Sequence, residues 1–180
     1  MAPPIIVCSS LSFDLALDER TKLRATGLFT LKVTDLVTCK GPKRKDCCII
    51  TARMVNGVNL YYDIEIKENV IPNRGKIVVS ANGKQLVRLQ MKKPCDHLFL
   101  GPLFQSILNV TQDCVFVKGH YTFNLDIEEV AQKYYGGMFL YGDMIFKSVF
   151  YSDMCNFSCT VLSVTFTPRN ATSHTRLGMS

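Results

Sequence analysis

The segments CVFVKGHYTFNLD (residues 114–126) and GGMFLYGDMIFKSVFYSDMCNFSCTVLSVTFTP (residues 136–168) decide how this chain is read. Apolar side chains at a spacing of two run through much of both: Phe116, Tyr121, Phe123 and Leu125 in the first, Met144, Phe146 and Phe150 in the second. Gly, Lys and Asp interrupt them at turn-like points. In an extended strand, alternate residues face opposite sides, so this half of the chain is strand-rich. It holds no nucleophile motif, metal cluster or phosphate loop. A function has to come from what such a sheet can enclose.

Upstream the same alternation continues. Leu28 to Val37, Cys47 to Val55, Leu60 to Lys67, Lys76 to Ser80 and Gln85 to Met91 read as strands, preceded by an extended opening segment, Ile5 to Leu17, that contains Cys8. Asn56-Gly57 and Asn82-Gly83 are tight-hairpin signals, because both residues tolerate positive φ. Strands at this spacing describe a sandwich or barrel. The exception is Asp96 to Val110, where Leu100, Leu103, Phe104, Ile107 and Leu108 form a helical stripe. Pro102 is tolerated in a first turn, so the pattern predicts one short helix over 101–109, clamped by the flanking Cys95 and Cys114. Residues 1–168 make one domain; the polar segment 169–180 lacks periodicity and reads as a flexible tail.

A chain of 180 residues fits a single core. Its eight cysteines, none in a CxxC pair, point to disulfides and an oxidising compartment. Three glycosylation sequons, at Asn109, Asn156 and Asn170, agree with secretion. The N-terminus MAPPIIVCSS shows no signal-peptide pattern, so the sequence reads as a mature form or a fragment. No apolar run reaches the roughly 20 residues that span a bilayer. The net charge of +6 is densest at Lys40-Gly-Pro-Lys-Arg-Lys45, either a solvated turn or a contact for anionic headgroups or a polyanion. Nucleic acid is disfavoured, since no aromatic-basic RNA-binding motif is present.

His97, His120 and His174 form no catalytic or zinc motif, and Cys47-Cys48 lacks zinc spacing. The expectation is a non-enzyme without cofactor or metal. What remains is apolar: Tyr134, Tyr135, Met138, Phe139, Leu140, Tyr141, Ile145, Phe146, Val149 and Phe150. Most of these serve a sandwich core, but Gly136 to Gly142 places apolar residues where a loop belongs, a pattern that marks a binding or membrane-contact surface.

Cys114-Val-Phe-Val-Lys-Gly119-His-Tyr121-Thr resembles the C-P-[FY]-x-x-G-x-Y segment of the ML lipid-recognition superfamily, and Gly142 onward with Ser158-Cys159-Thr-Val resembles its ending. The similarity runs over Cys95 to Pro168 and is nearest the branch of the ganglioside activator and its insect chemosensory relatives. Val115 stands where that family has proline, and Asp143 where it often has an aromatic. The resemblance implies an immunoglobulin-like β-sandwich of two antiparallel sheets, splayed around an apolar cavity. It implies disulfides Cys8–Cys159 and Cys95–Cys114, leaving Cys39, Cys47, Cys48 and Cys155 unassigned. Cavity residues would be Leu103, Ile107, Tyr121, Phe123, Met138, Phe139, Tyr141, Phe146 and Phe150. Membrane contact would come from Val70, Ile71, Phe139 and Leu140. The function implied is a secreted, or alternatively lysosomal, carrier of a lipid or other apolar small molecule, with transient membrane contact and a receptor or hydrolase as possible protein partner. The alternative is an extracellular structural or receptor-binding sandwich with a filled core. An apolar cavity of roughly 300 Å³ or more separates the two.

Overall fold

The computed structural model describes residues 29–135 and 141–169. Among the described residues, eight strands form two antiparallel sheets, so the protein is a β-sandwich. The strands are β1 (Phe29–Thr38), β2 (Cys48–Met54), β3 (Asn59–Ile66), β4 (Arg74–Ala81), β5 (Lys84–Met91), β6 (Gly119–Asp126), β7 (Gly142–Tyr151) and β8 (Asn156–Pro168). Helix α1 (Leu100–Ile107) follows β5, and α2 (Ile127–Tyr135) follows β6. The five-stranded sheet runs β1-β8-β7-β4-β5 and the three-stranded sheet β2-β3-β6.

Register follows the alternation in the sequence. Leu60, Ile64 and Ile66 of β3 are buried, and their neighbours on β6 are Leu125, Tyr121 and Gly119. Sliding the pairing by one residue would turn this apolar set to solvent, which fixes the register. At Asn82-Gly83 both residues take positive φ, 51° and 72°, and close the β4–β5 hairpin as the dipeptide predicts. Asn56-Gly57 behaves differently. The Asn56 carboxamide oxygen accepts from the backbone N–H of Val58 and Asn59, so a side-chain-held loop replaces the expected two-residue turn.

Two groups of buried side chains hold the sheets together. One contains Ile64, Ile66, Val70, Phe104, Leu108, Phe116, Phe150 and Phe157; Phe104 meets Phe116 and Phe150 edge-on at 5.2 and 5.3 Å. The other contains Phe29, Leu31, Val33, Leu60, Val79, Ala131, Met144, Val164 and Phe166. Tyr62 and Ile77 touch both groups and are only half-buried.

Three disulfides among the described residues brace this frame. Cys47–Cys155 clasps the start of β2 to the turn before β8, joining the sheets. Cys95–Cys114 spans α1, the pairing that the sequence resemblance implied. The Cys8–Cys159 bond is overturned, because Cys159 is bonded to Cys39, with the Cys39 N–H also donating to the Cys159 carbonyl at 2.9 Å. Cys39 leaves the end of β1, whose pairing with β8 extends to Thr38–Thr160, so register brings the two thiols together. In the chain-entropy account, bonds closing 108 and 120 residues each stabilise by up to about 5 kcal/mol. Cys48, buried, is the unbonded cysteine among the described residues. Cys8 and the opening segment lie outside the described residues.

Of the sequons, Asn109 is exposed, while Asn156 is 3% exposed and structural. Its side chain accepts from the Lys43 N–H and donates to the Lys43 carbonyl and to Asp46, fastening the 40s loop to β8. A glycan on that amide and this packing are mutually exclusive, which corrects the expectation for Asn156. Asn170 lies outside the described residues. Arg169, placed by the sequence in a tail, pairs with Glu128 of α2 at 3.0 Å.

Candidate functional site: an apolar cavity between the sheets

In a filled sandwich, inward residues of both sheets interdigitate and leave no void. Here Ile50, Tyr62, Ile77, Phe123, Leu125, Phe146 and Leu162 stay half-exposed although their strands alternate them inward. They border two adjoining spaces of about 340 and 190 Å³. Both are lined almost entirely by carbon, and both share Ile77, Leu100, Leu103 and Ser148. The sheets are therefore pinned by the two packed groups and hollow at the waist between them.

Helix α1 forms one wall. Phe104 locks it to the core, which leaves Leu100 and Leu103 facing the larger space and Ile107 the smaller one. Close approach of the helix start to the preceding turn depends on Gly101, where a Cβ would overlap the Cys95 carbonyl oxygen. Helix α2 forms a second wall with Ile127, Val130 and Ala131. Asp126 caps it by accepting from the Glu129 N–H at 2.9 Å.

The mouth lies along edge strand β5 and the approach to α1. Val87 and Phe99 line the larger space yet are 43% and 46% exposed, and neighbouring Leu98 is 82% exposed. Polar atoms inside are few. The Ser148 and Thr160 hydroxyls bond each other at 2.7 Å, and Tyr62, stacked on Phe123 at 5.2 Å, has its hydroxyl pKa pushed up to about 12 by burial. The lining carries no carboxylate, lysine or arginine, with His97 as its one imidazole, and is suited to hydrocarbon.

Of the sequence-predicted cavity residues, Leu103, Ile107, Phe123, Phe146 and Phe150 line the space. Tyr121 does not; its hydroxyl donates to the Val117 carbonyl at 2.9 Å and its ring packs on the core below. Tyr141 is 41% exposed and outside the lining. Met138, Phe139 and Leu140 lie outside the described residues. Of the membrane-contact residues, Ile71 is 49% exposed, but Val70 is 4% exposed. A pair of backbone hydrogen bonds with Phe116, at 3.1 and 2.8 Å, turns Val70 into the core and corrects that assignment.

Sequence reasoning missed α2, although Asp126-Ile-Glu-Glu129 has the form of a capping box and Ile127, Val130 and Ala131 have helical spacing. It also missed Ile77, Leu89, Leu162, Val164 and Phe166 as cavity wall. Their alternation marks them as inward, not as facing a void.

No protein-family model matches the chain, and no curated protein does. Among solved structures, it is similar to chicken MD-1 complexed with lipid IVa, with a TM-score of 0.32 and 8% identity over 76% of this chain and 97% of that one. It is also similar to domains d3–d4 of the rat CD45 extracellular region, with a TM-score of 0.24 and 9% identity over 94% and 78% of the two chains. These scores are too low to assign the chain to either protein's family.

Proposed function

We propose that this protein is a non-enzymatic extracellular carrier that holds the hydrocarbon part of a lipid between its sheets, as the ML-type segment of its sequence implies. The observation that supports this most is the pair of adjoining carbon-lined spaces at the waist, the larger about 340 Å³ and within the range of small-molecule sites. Three disulfides support an oxidising compartment. Each methylene moved from water into such a space gains about 0.8 kcal/mol, so a free acyl chain is strongly retained. From a bilayer the same transfer nearly cancels, because both media are apolar. Loading and release are then reversible wherever the mouth touches a membrane, and Leu98 and Phe99 supply that contact.

The test is vesicle-to-vesicle transfer of a fluorescent acyl lipid. The wild-type protein accelerates transfer; the Leu98→Ser variant, altered outside the cavity lining, binds soluble ligand with unchanged affinity and transfers several-fold more slowly. A wild-type protein that neither binds nor transfers the lipid overturns the proposal.

A further inference from the structure

On the outer face of the five-stranded sheet, opposite the cavity, lies a second concavity. The strands whose Ile77 and Phe146 face inward present Lys76 and Lys147 outward. Lys76 stands opposite Val149 in the β4–β7 pairing, so Lys147, two residues along, is its diagonal neighbour at about 7–8 Å. The 40s loop, fastened by Asn156, brings Lys40 over the same place. Together they border a groove of about 420 Å³ that Val78, Val149, Tyr151 and Gln90 complete. Arg88, opposite Val78 in the register, and Lys43, 5.8 Å from the centre of the Tyr151 ring, extend the positive charge at either side.

No carboxylate lines this groove, and Lys40, Lys76 and Lys147 have no ion-pair partner among the described residues. Nearby Asp46 and Asp153 are hydrogen-bonded by the side-chain amides of Asn156 and Asn73. Clustered like charges repel, so the arrangement costs the fold stability and calls for an external anion. We infer that the groove binds a sulfated glycan chain, its sulfates on the lysines and its sugar rings over Val78, Val149 and Tyr151.

Shape and compartment favour this partner. A concave groove bordered by lysines admits a single linear polyanion. The disulfides place the protein where glycans are the prevalent polyanion, and a groove with one aromatic ring lacks the stacking platform of a single-strand nucleic-acid site.

The probe is a size-defined, fully sulfated heparin-type octasaccharide, titrated calorimetrically at physiological ionic strength, where diffuse surface attraction is screened. Wild type binds, and Lys76→Gln/Lys147→Gln loses affinity by roughly tenfold or more, the expected loss for charge-assisted contacts. The control Lys32→Gln/Lys118→Gln removes the same charge from exposed positions elsewhere and shifts affinity less than threefold. Thermal unfolding of each variant confirms the fold. Equal loss in both variants reduces the effect to net charge and overturns the inference. So does absence of wild-type binding. Loss by the groove variant of binding to phosphatidylserine vesicles, with no octasaccharide binding by wild type, overturns it in favour of an anionic membrane.

Discussion

Leu162→Trp distinguishes a hollow sandwich from a filled one. Leu162 sits on β8 between Leu36 and Phe146, half-buried on the wall of the 340 Å³ space. In a close-packed core, enlarging a leucine to an indole forces side chains off their rotamers and costs about 1–3 kcal/mol. Here the ring enters a void, and every 40 Å² of extra apolar surface it buries stabilises by about 1 kcal/mol. The urea midpoint should hold or rise. The same ring takes the place of ligand: displacing three or four methylenes removes about 2.5–3 kcal/mol of binding, roughly a hundredfold in affinity. Because the chain contains no tryptophan, the new residue reports on itself. Its emission should be blue-shifted in the folded protein and red-shift on unfolding, while a fluorescent fatty-acid titration reads the lost affinity. A destabilisation of 1–3 kcal/mol with unchanged ligand binding would refute the hollow waist. By contrast, Phe116→Ala, at a fully buried position wedged between Phe104 and Phe157, should cost about 3–5 kcal/mol.

Further expectations concern the frame. Burial pushes the Cys48 thiol from 9.0 up to about 12, against a smaller lowering by Lys67, and burial pushes the Tyr62 hydroxyl from 10.0 to about 12. Both raised values favour the protonated, folded form; their stability is fully present below pH 9 and is lost as pH rises towards 12. Each group contributes a slope of about 1.4 kcal/mol per pH unit between its two values. Urea midpoints measured within minutes of a pH jump should fall from pH 9 upward in wild type, but only from pH 10 upward in Cys48→Ala. A wild-type midpoint that is flat to pH 10.5 contradicts this. Asn156→Ala removes three hydrogen bonds made by a buried amide to Lys43 and Asp46, for a loss of about 2–4 kcal/mol in chemical denaturation. Peptide mapping of the natively glycosylated protein should find Asn156 unmodified; a glycan there would contradict its buried role.

The strands were legible because solvent lies on one side of most of them. Leu60 to Ile66 and Tyr121 to Leu125 carry their inward face in a spacing of two, and α1 carries its own in a spacing of three and four. Boundaries moved by only a residue or two, as in α1, read over 101–109 and observed at Leu100–Ile107. Other features depend on partners remote in sequence. Val70 is buried because Phe116, far along the chain, pairs with it, and Cys159 meets Cys39 because β1 and β8 share an edge. Neither distance is written in local spacing. The cavity is hidden for a related reason, since an inward leucine that touches a neighbour and one that faces a void, such as Leu162, read alike. Helix α2 went unread although its cap and stripe are in the sequence, because its acidic first turn masks the three apolar residues that it contributes.

The most direct measurement is native mass spectrometry of the protein after incubation with phospholipid vesicles and removal of the vesicles by gel filtration. The hollow-waist account predicts a defined adduct with the mass of a lipid, absent from Leu162→Trp treated in the same way. A wild-type spectrum that shows only the bare protein would contradict the carrier function.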